Sequence, residues 1–213
     1  MKGGDSPRPW GRFMCSIFGF VGPNMDGILM SKIQENAKDR GRDGGRSETY
    51  KLANGILAVL GNWRAAPTTE PATGPLQPYD GLVHNGTVAN DEALGGLVGA
   101  IDSQVLADCL ERHSLQAMQE SLQVIKGSYA LACVNNRTVY LARNYKPLYY
   151  YGDVLGGYYF SSMPRHFDGL LPRGQAPVEV LPYSVLDLLT GESLPLPTRT
   201  SNRAIVVCSG GLD

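Results

Sequence analysis

Apolar positions form short uninterrupted runs near both ends of the chain and helical stripes between them. Residues 15–22 (CSIFGFVG) make a near-continuous apolar run closed by Gly22-Pro23, the pattern of a strand covered on both faces. Ile28, Leu29, Ile33 and Ala37 then recur at helical spacing, and the stripe stops at the glycine-rich RGRDGG beginning at Arg40. Two apolar runs, GILAVLGN (55–62) and YDGLVHN (79–85), predict strands flanking a Pro/Thr/Ala-rich loop at 66–78, a length that is often functional. Val105, Leu106, Cys109 and Leu110 form one helical stripe and Leu115, Met118, Leu122 and Ile125 a second, which Gly127 closes. From Ser128 the pattern becomes strand-like, in SYALACV, TVYLARN, PLYYYGD, GGYYFSS and YSVLDLLTG, with turn residues such as NNR between. LPLPTRTSN (194–202) has the composition of a linker, and RAIVVCSGGLD after it starts a new element. The order is strands, helices, then antiparallel strands, an α+β arrangement.

Composition narrows the function classes. A chain of 213 residues with 43% hydrophobic and 18% charged content can bury a sizeable single core. A formal net charge of -1 gives no electrostatic case for direct nucleic-acid binding or a membrane surface, and the locally basic KDRGRDGGR (38–46) reads by default as a solvated loop. Cys15, Cys109, Cys133 and Cys208 lack both metal-ligand spacing and a disulfide framework, so the expectation is no metal and a reducing, cytoplasmic setting. The leader MKGGDSPRPWGRF has no apolar core of a signal peptide, and no run approaches a membrane span.

Candidate chemistry sits in a few short pieces read together. They are Met14-Cys15-Ser16-Ile17-Phe18-Gly19, RGRDG from Arg40, GNWRAAP around Arg64, HNGTVAND (84–91) and IDSQ at Asp102, followed by ARNYKPLYY and YYFSS. In this order and spacing, over residues 15 to about 195, they resemble a class II glutamine amidotransferase, the N-terminal-nucleophile glutaminase of asparagine synthetase and amidophosphoribosyltransferase. The resemblance implies a four-layer αββα N-terminal-nucleophile hydrolase sandwich. It also implies a glutaminase that needs no cofactor. Cys15 would attack the side-chain amide of glutamine while its own α-amine serves as base and then acid, which works only if residues 1–14 are absent and Cys15 is the first residue. Initiation at Met14 with removal of that methionine, a processed propeptide, or a leader added upstream would each account for residues 1–14.

By the same resemblance, the Asn85 amide and the Gly86 N–H form the oxyanion hole, Arg64 and Asp102 read the carboxylate and ammonium of glutamine, and Arg40 belongs to the loop over the pocket. Blander readings stand beside these: a strand cysteine for Cys15, a hairpin turn for Asn85-Gly86, a surface arginine for Arg64 and a helix N-cap for Asp102. The chain departs from the family pattern at Arg42, where proline is usual, at Asn62, where histidine is frequent, and at Asn144 and Lys146, where aspartate and glycine are common. Ser209, Gly210, Gly211 and Asp213 resemble the start of the PP-loop of ATP pyrophosphatases, so ATP and Mg are expected only for a synthetase domain beyond this segment. The short linker resembles a glutaminase fused to a 7-cyano-7-deazaguanine synthase-like domain. Alternatives are an asparagine synthetase-like fragment, an amidase for another amide, and a non-catalytic glutamine-binding regulatory subunit.

Overall fold

The computed structural model describes residues 14–41, 43–65, 76–96 and 101–198. Eleven strands and three α-helices occur among them: β1 (Ser16–Gly22), α1 (Gly27–Asn36), β2 (Gly45–Lys51), β3 (Leu57–Trp63), β4 (Leu82–Val88), α2 (Asp102–Cys109), α3 (Leu115–Leu122), β5 (Gly127–Val134), β6 (Val139–Arg143), β7 (Tyr149–Gly152), β8 (Tyr158–Ser161), β9 (Val178–Glu179), β10 (Ser184–Asp187) and β11 (Ser193–Pro195). The strands form one sheet in the order β2-β3-β1-β8-β7-β9 and another in the order β11-β10-β6-β5-β4. Every pairing is antiparallel.

Alternation along the strands sorts the core into three layers of side chains. Ile17 and Val21 of β1, Ala58 and Leu60 of β3, and Val83, Ala130, Ala132 and Leu141 of the second sheet pack together between the sheets. The opposite face of β1, with Phe18 and Phe20, packs on Met30 and Ile33 of α1. The opposite face of the second sheet, with Leu82, Leu131 and Tyr140, packs on Leu106 of α2 and Met118 and Leu122 of α3. The result is the αββα sandwich. Strand β1 is buried at all seven positions, as its unbroken apolar run requires. Asp26 caps α1 by accepting from the N–H groups of Ile28 and Leu29 at 2.8 and 3.1 Å, and Ser114 caps α3 by accepting from Ala117 N–H at 3.1 Å.

Three expectations are corrected. The KDRGRDGGR run is solvated only in part: Lys38, Asp39 and Asp43 are exposed, but Arg40 and Gly41 are buried, and β2 begins at Gly45. Asn85-Gly86 is no hairpin turn but the middle of β4. The LPLPTRTSN linker starts later than its composition suggests, because Leu194-Pro195 belong to β11 and the buried Leu196 donates its N–H to Tyr183 O at 2.7 Å.

Candidate active site

Cys15 stands immediately before β1, where the chain enters the middle of the first sheet. Its Sγ lies 3.5 Å from Ala65 N and 3.7 Å from Ala65 O, so the end of β3 holds the sulfur from the side. Beyond β3 the ladder continues irregularly, with Arg64 N–H donating to Gly44 O at 2.8 Å and Asp43 N–H donating to Arg64 O at 2.9 Å. This seats Asp43 and Gly44 against Arg64, the neighbour in sequence of the Ala65 that contacts Cys15. Glycine is required at position 41, because a Cβ would fall 2.2 Å from Trp63 O. Arg40 and Arg64 are both buried, each 7% exposed. Burial, and then the nearby Arg165, lower the pKa of Arg40, while Asp39 and Cys15 favour its charged form. Asp39 pairs with Arg165 at 2.6 Å and approaches His166 Nε2 at 3.2 Å, fixing the base of the 40–44 turn.

The second sheet contributes its edge strand β4. Gly86 lies opposite Tyr129 of β5, and Tyr129 spends its N–H and C=O on Asn144 Oδ1 (2.7 Å) and Asn144 N–H (3.1 Å), on the side away from β4. Gly86 and Tyr129 are therefore a non-hydrogen-bonded pair, and the Gly86 N–H points out from the sheet edge. Its neighbours on that edge obey the same period: His84 N–H donates to Gln77 Oε1 at 2.5 Å and Val88 N–H to Asp102 Oδ2 at 2.9 Å. Only glycine fits at position 86, since a Cβ would lie 2.0 Å from Ser128 O and 2.7 Å from His84 Nε2. Asn85 shares the parity of Val83 and so faces the space between the sheets, toward which Asn62 of β3 also turns by the parity of Leu60.

Asp102 is the first residue of α2, but it is not the cap: Ile101 occupies that position and no side chain caps the helix. Its carboxylate instead holds Val88 N–H and accepts from Ser103 Oγ at 3.2 Å. Lys146 closes the same end of the sandwich, with Nζ 3.9 Å from Met14 Sδ. Burial pushes the pKa of His84 down to about 4; Asp102 opposes this and Lys146 reinforces it. The predicted residues thus fall into two groups, Cys15, Arg40 and Arg64 around the start of β1 and the end of β3, and Asn85, Gly86 and Asp102 along β4 and its outer edge. Several buried polar atoms have no hydrogen-bond partner: Arg40 Nη1, Asn62 Nδ2, Asn85 Nδ2 and Ser16 Oγ. Such donors cost free energy when unmet, and ones aimed into a cleft are suited to a polar ligand. Three further residues neighbour the predicted ones: Asn62, seen in the sequence only as a departure from the family pattern, Ser103, seen only as part of IDSQ, and Gln77, a buried Gln in a Pro-rich loop that has no signal in one sequence. No group of three or more His, Cys, Asp or Glu among the described residues is arranged to hold a metal ion. Ser209, Gly210, Gly211 and Asp213 lie outside the described residues, as do Arg42 and residues 1–13.

A family profile described as a glutamine amidotransferase domain matches residues 75–169. The 7-cyano-7-deazaguanine synthase of Saccharolobus solfataricus is 32% identical over 94% of this chain and 54% of its own length. The glutamine–fructose-6-phosphate aminotransferase (isomerizing) of Methanosarcina mazei is 27% identical over 63% of this chain and 30% of its own length. The fold resembles the glutamine phosphoribosylpyrophosphate amidotransferase of B. subtilis, with a TM-score of 0.64 and 20% identity over 89% of this chain and 50% of that one. The chain thus spans about half the length of the deazaguanine synthases it matches. With the αββα sandwich and the cysteine at the head of β1, these matches identify the chain as carrying a glutamine amidotransferase domain of class II, the N-terminal-nucleophile kind.

Proposed function

We propose that the domain hydrolyses glutamine and supplies ammonia to an ATP-dependent synthetase domain or subunit. The observation that carries this reading is the pair of donors at Asn85-Gly86: a buried side-chain amide with no partner and, beside it, an N–H directed out of a sheet edge. In the catalytic form Cys15 is the first residue. Its α-amine takes the thiol proton, and the sulfur attacks the carboxamide carbon. Asn85 Nδ2 and Gly86 N–H hold the resulting oxyanion. The amine returns the proton to the departing nitrogen, ammonia leaves, and water activated by the same amine cleaves the thioester to glutamate. Arg64 meets the α-carboxylate of glutamine and Asp102 its α-ammonium, while Arg40 in its buried turn adds positive charge above the sulfur.

The acceptor side rests on similarity. The deazaguanine synthase match runs over 94% of this chain, against 63% for the aminotransferase, which favours a nucleotide-modifying synthetase over a sugar-phosphate acceptor. In this reading Ser209, Gly210, Gly211 and Asp213 open the PP-loop that holds ATP with Mg, and the protein works in the cytoplasm. Ammonia release from glutamine by protein starting at Cys15, compared with Cys15→Ala, tests the first step. The expected result is glutamate and ammonia in equal amounts from the former and none from the latter; equal rates from both would reject the role of Cys15.

A further inference from the structure

The edge of β4 is braced by side chains that the proposed reaction does not use. Gln77 is buried, and both ends of its amide are engaged: Oε1 accepts from His84 N–H at 2.5 Å and Nε2 donates to Ser103 Oγ at 3.0 Å. Ser103 Oγ also lies 2.9 Å from His84 Nδ1 and 3.2 Å from Asp102 Oδ1. These contacts fix the protons. A hydroxyl has one proton and two lone pairs, and a carboxylate only accepts, so Ser103 gives its proton to Asp102 and accepts from Gln77 and from His84 Nδ1–H. Burial, which lowers the pKa of His84 to about 4, keeps the ring neutral, with a bare Nε2 packed against the Cα side of Gly86. A chain of hydrogen bonds results, which the backbone of β4 closes into a ring. It runs from His84 N–H through Gln77, Ser103 and Asp102 to Val88 N–H, and the outward N–H of Gly86 lies between its two ends.

We infer that Gln77, Ser103 and His84 are positioning residues that aim the Asp102 carboxylate at the ammonium of the bound amino acid, in register with the oxyanion donors. The inference rests on the proposed glutamine site and makes the ring the source of its selectivity for a free α-amino group. With one of its oxygens tied to Val88 N–H, Asp102 has no freedom to swing unless Ser103 releases the other. Without the hydroxyl the carboxylate loses its second anchor, and the Gln77 and His84 donors are left buried and unmet.

The test is calorimetric binding of glutamine and of glutaramate, the analogue lacking the α-amino group, with hydrolysis measured separately. Ser103→Ala is expected to weaken glutamine binding roughly tenfold, the size of one hydrogen bond to a charged group, and to change glutaramate binding less than about twofold. Ser103→Thr, which keeps the hydroxyl, restores the preference. Equal weakening of both ligands, or none of either, overturns the inference. Gln77→Glu gives an independent readout. A buried carboxyl can donate to Ser103 only when protonated, so its deficit in kcat/KM relative to wild type should shrink as pH falls from about 8 to 6. A ratio independent of pH would overturn the ring as drawn. Wild-type protein that binds glutamine with this selectivity yet releases no ammonia would count against the proposed reaction and leave the ring standing.

Discussion

Among the described residues six buried side-chain atoms have no hydrogen-bond partner, and three of them are nitrogens of Arg40, Asn62 and Asn85. In the proposed reaction the oxyanion supplies the acceptor that Asn85 lacks. Asn85→Ala should therefore lower kcat by about 100- to 1,000-fold while KM for glutamine changes little, because the oxyanion exists only after attack. Arg64→Ala and Asp102→Ala should do the reverse, raising KM far more than they lower kcat; steady-state kinetics on the three variants separates the roles. The residues proposed to act directly could be singled out from the sequence because each sits in a short motif with its neighbours. Gln77 and Ser103 could not, since their importance lies in hydrogen bonds between positions 26 residues apart, which no periodicity reports.

Most of the elements were also readable, and the failures have physical reasons. Strand β2, GRSETYK, is exposed or half-buried along its length, so it carries no apolar signal; it forms because β3 offers it a free edge. Asn85-Gly86 has the composition of a turn, yet continuous pairing from Leu82–Cys133 to Val88–Gly127 keeps it in a strand. Phe18, fully buried in β1, is accommodated by Gly61, where any Cβ would meet its ring at 2.3 Å. Phe18→Ala should thus cost about 3–5 kcal/mol in denaturant unfolding.

Two histidines held inside the fold set a pH dependence. Burial pushes His84 and His166 down to about 4, from an ordinary 6.5, with Asp39 opposing the shift at His166. The unfolded chain takes up these protons first. Stability should be complete above about pH 6.5 and fall as pH drops toward 4, by up to about 1.4 kcal/mol per pH unit for each histidine. Urea unfolding at several pH values should show a shallower slope for His166→Gln than for wild type; an unchanged slope would mean that His166 does not remain neutral in the fold.

At the scale of the molecule, the proposed nucleophile heads a strand of one sheet and the proposed oxyanion donors lie on a strand of the other, so the reaction as proposed needs both sheets packed. The fold class was legible from the succession of strands, helices and antiparallel strands together with the motif order. Which N–H groups of β4 point out of the sheet edge was not, because that depends on Asn144 taking the backbone hydrogen bonds of Tyr129 on the side away from Gly86. The proposed catalysis requires one amino acid to supply both sulfur and base. The direct test is to prepare protein whose first residue is verified by mass as Cys15, alongside protein retaining Met14, and to measure ammonia from glutamine in the presence of the synthetase partner. Turnover is expected only in the first preparation. Equal turnover in both, or none from the verified Cys15 form, would contradict that requirement.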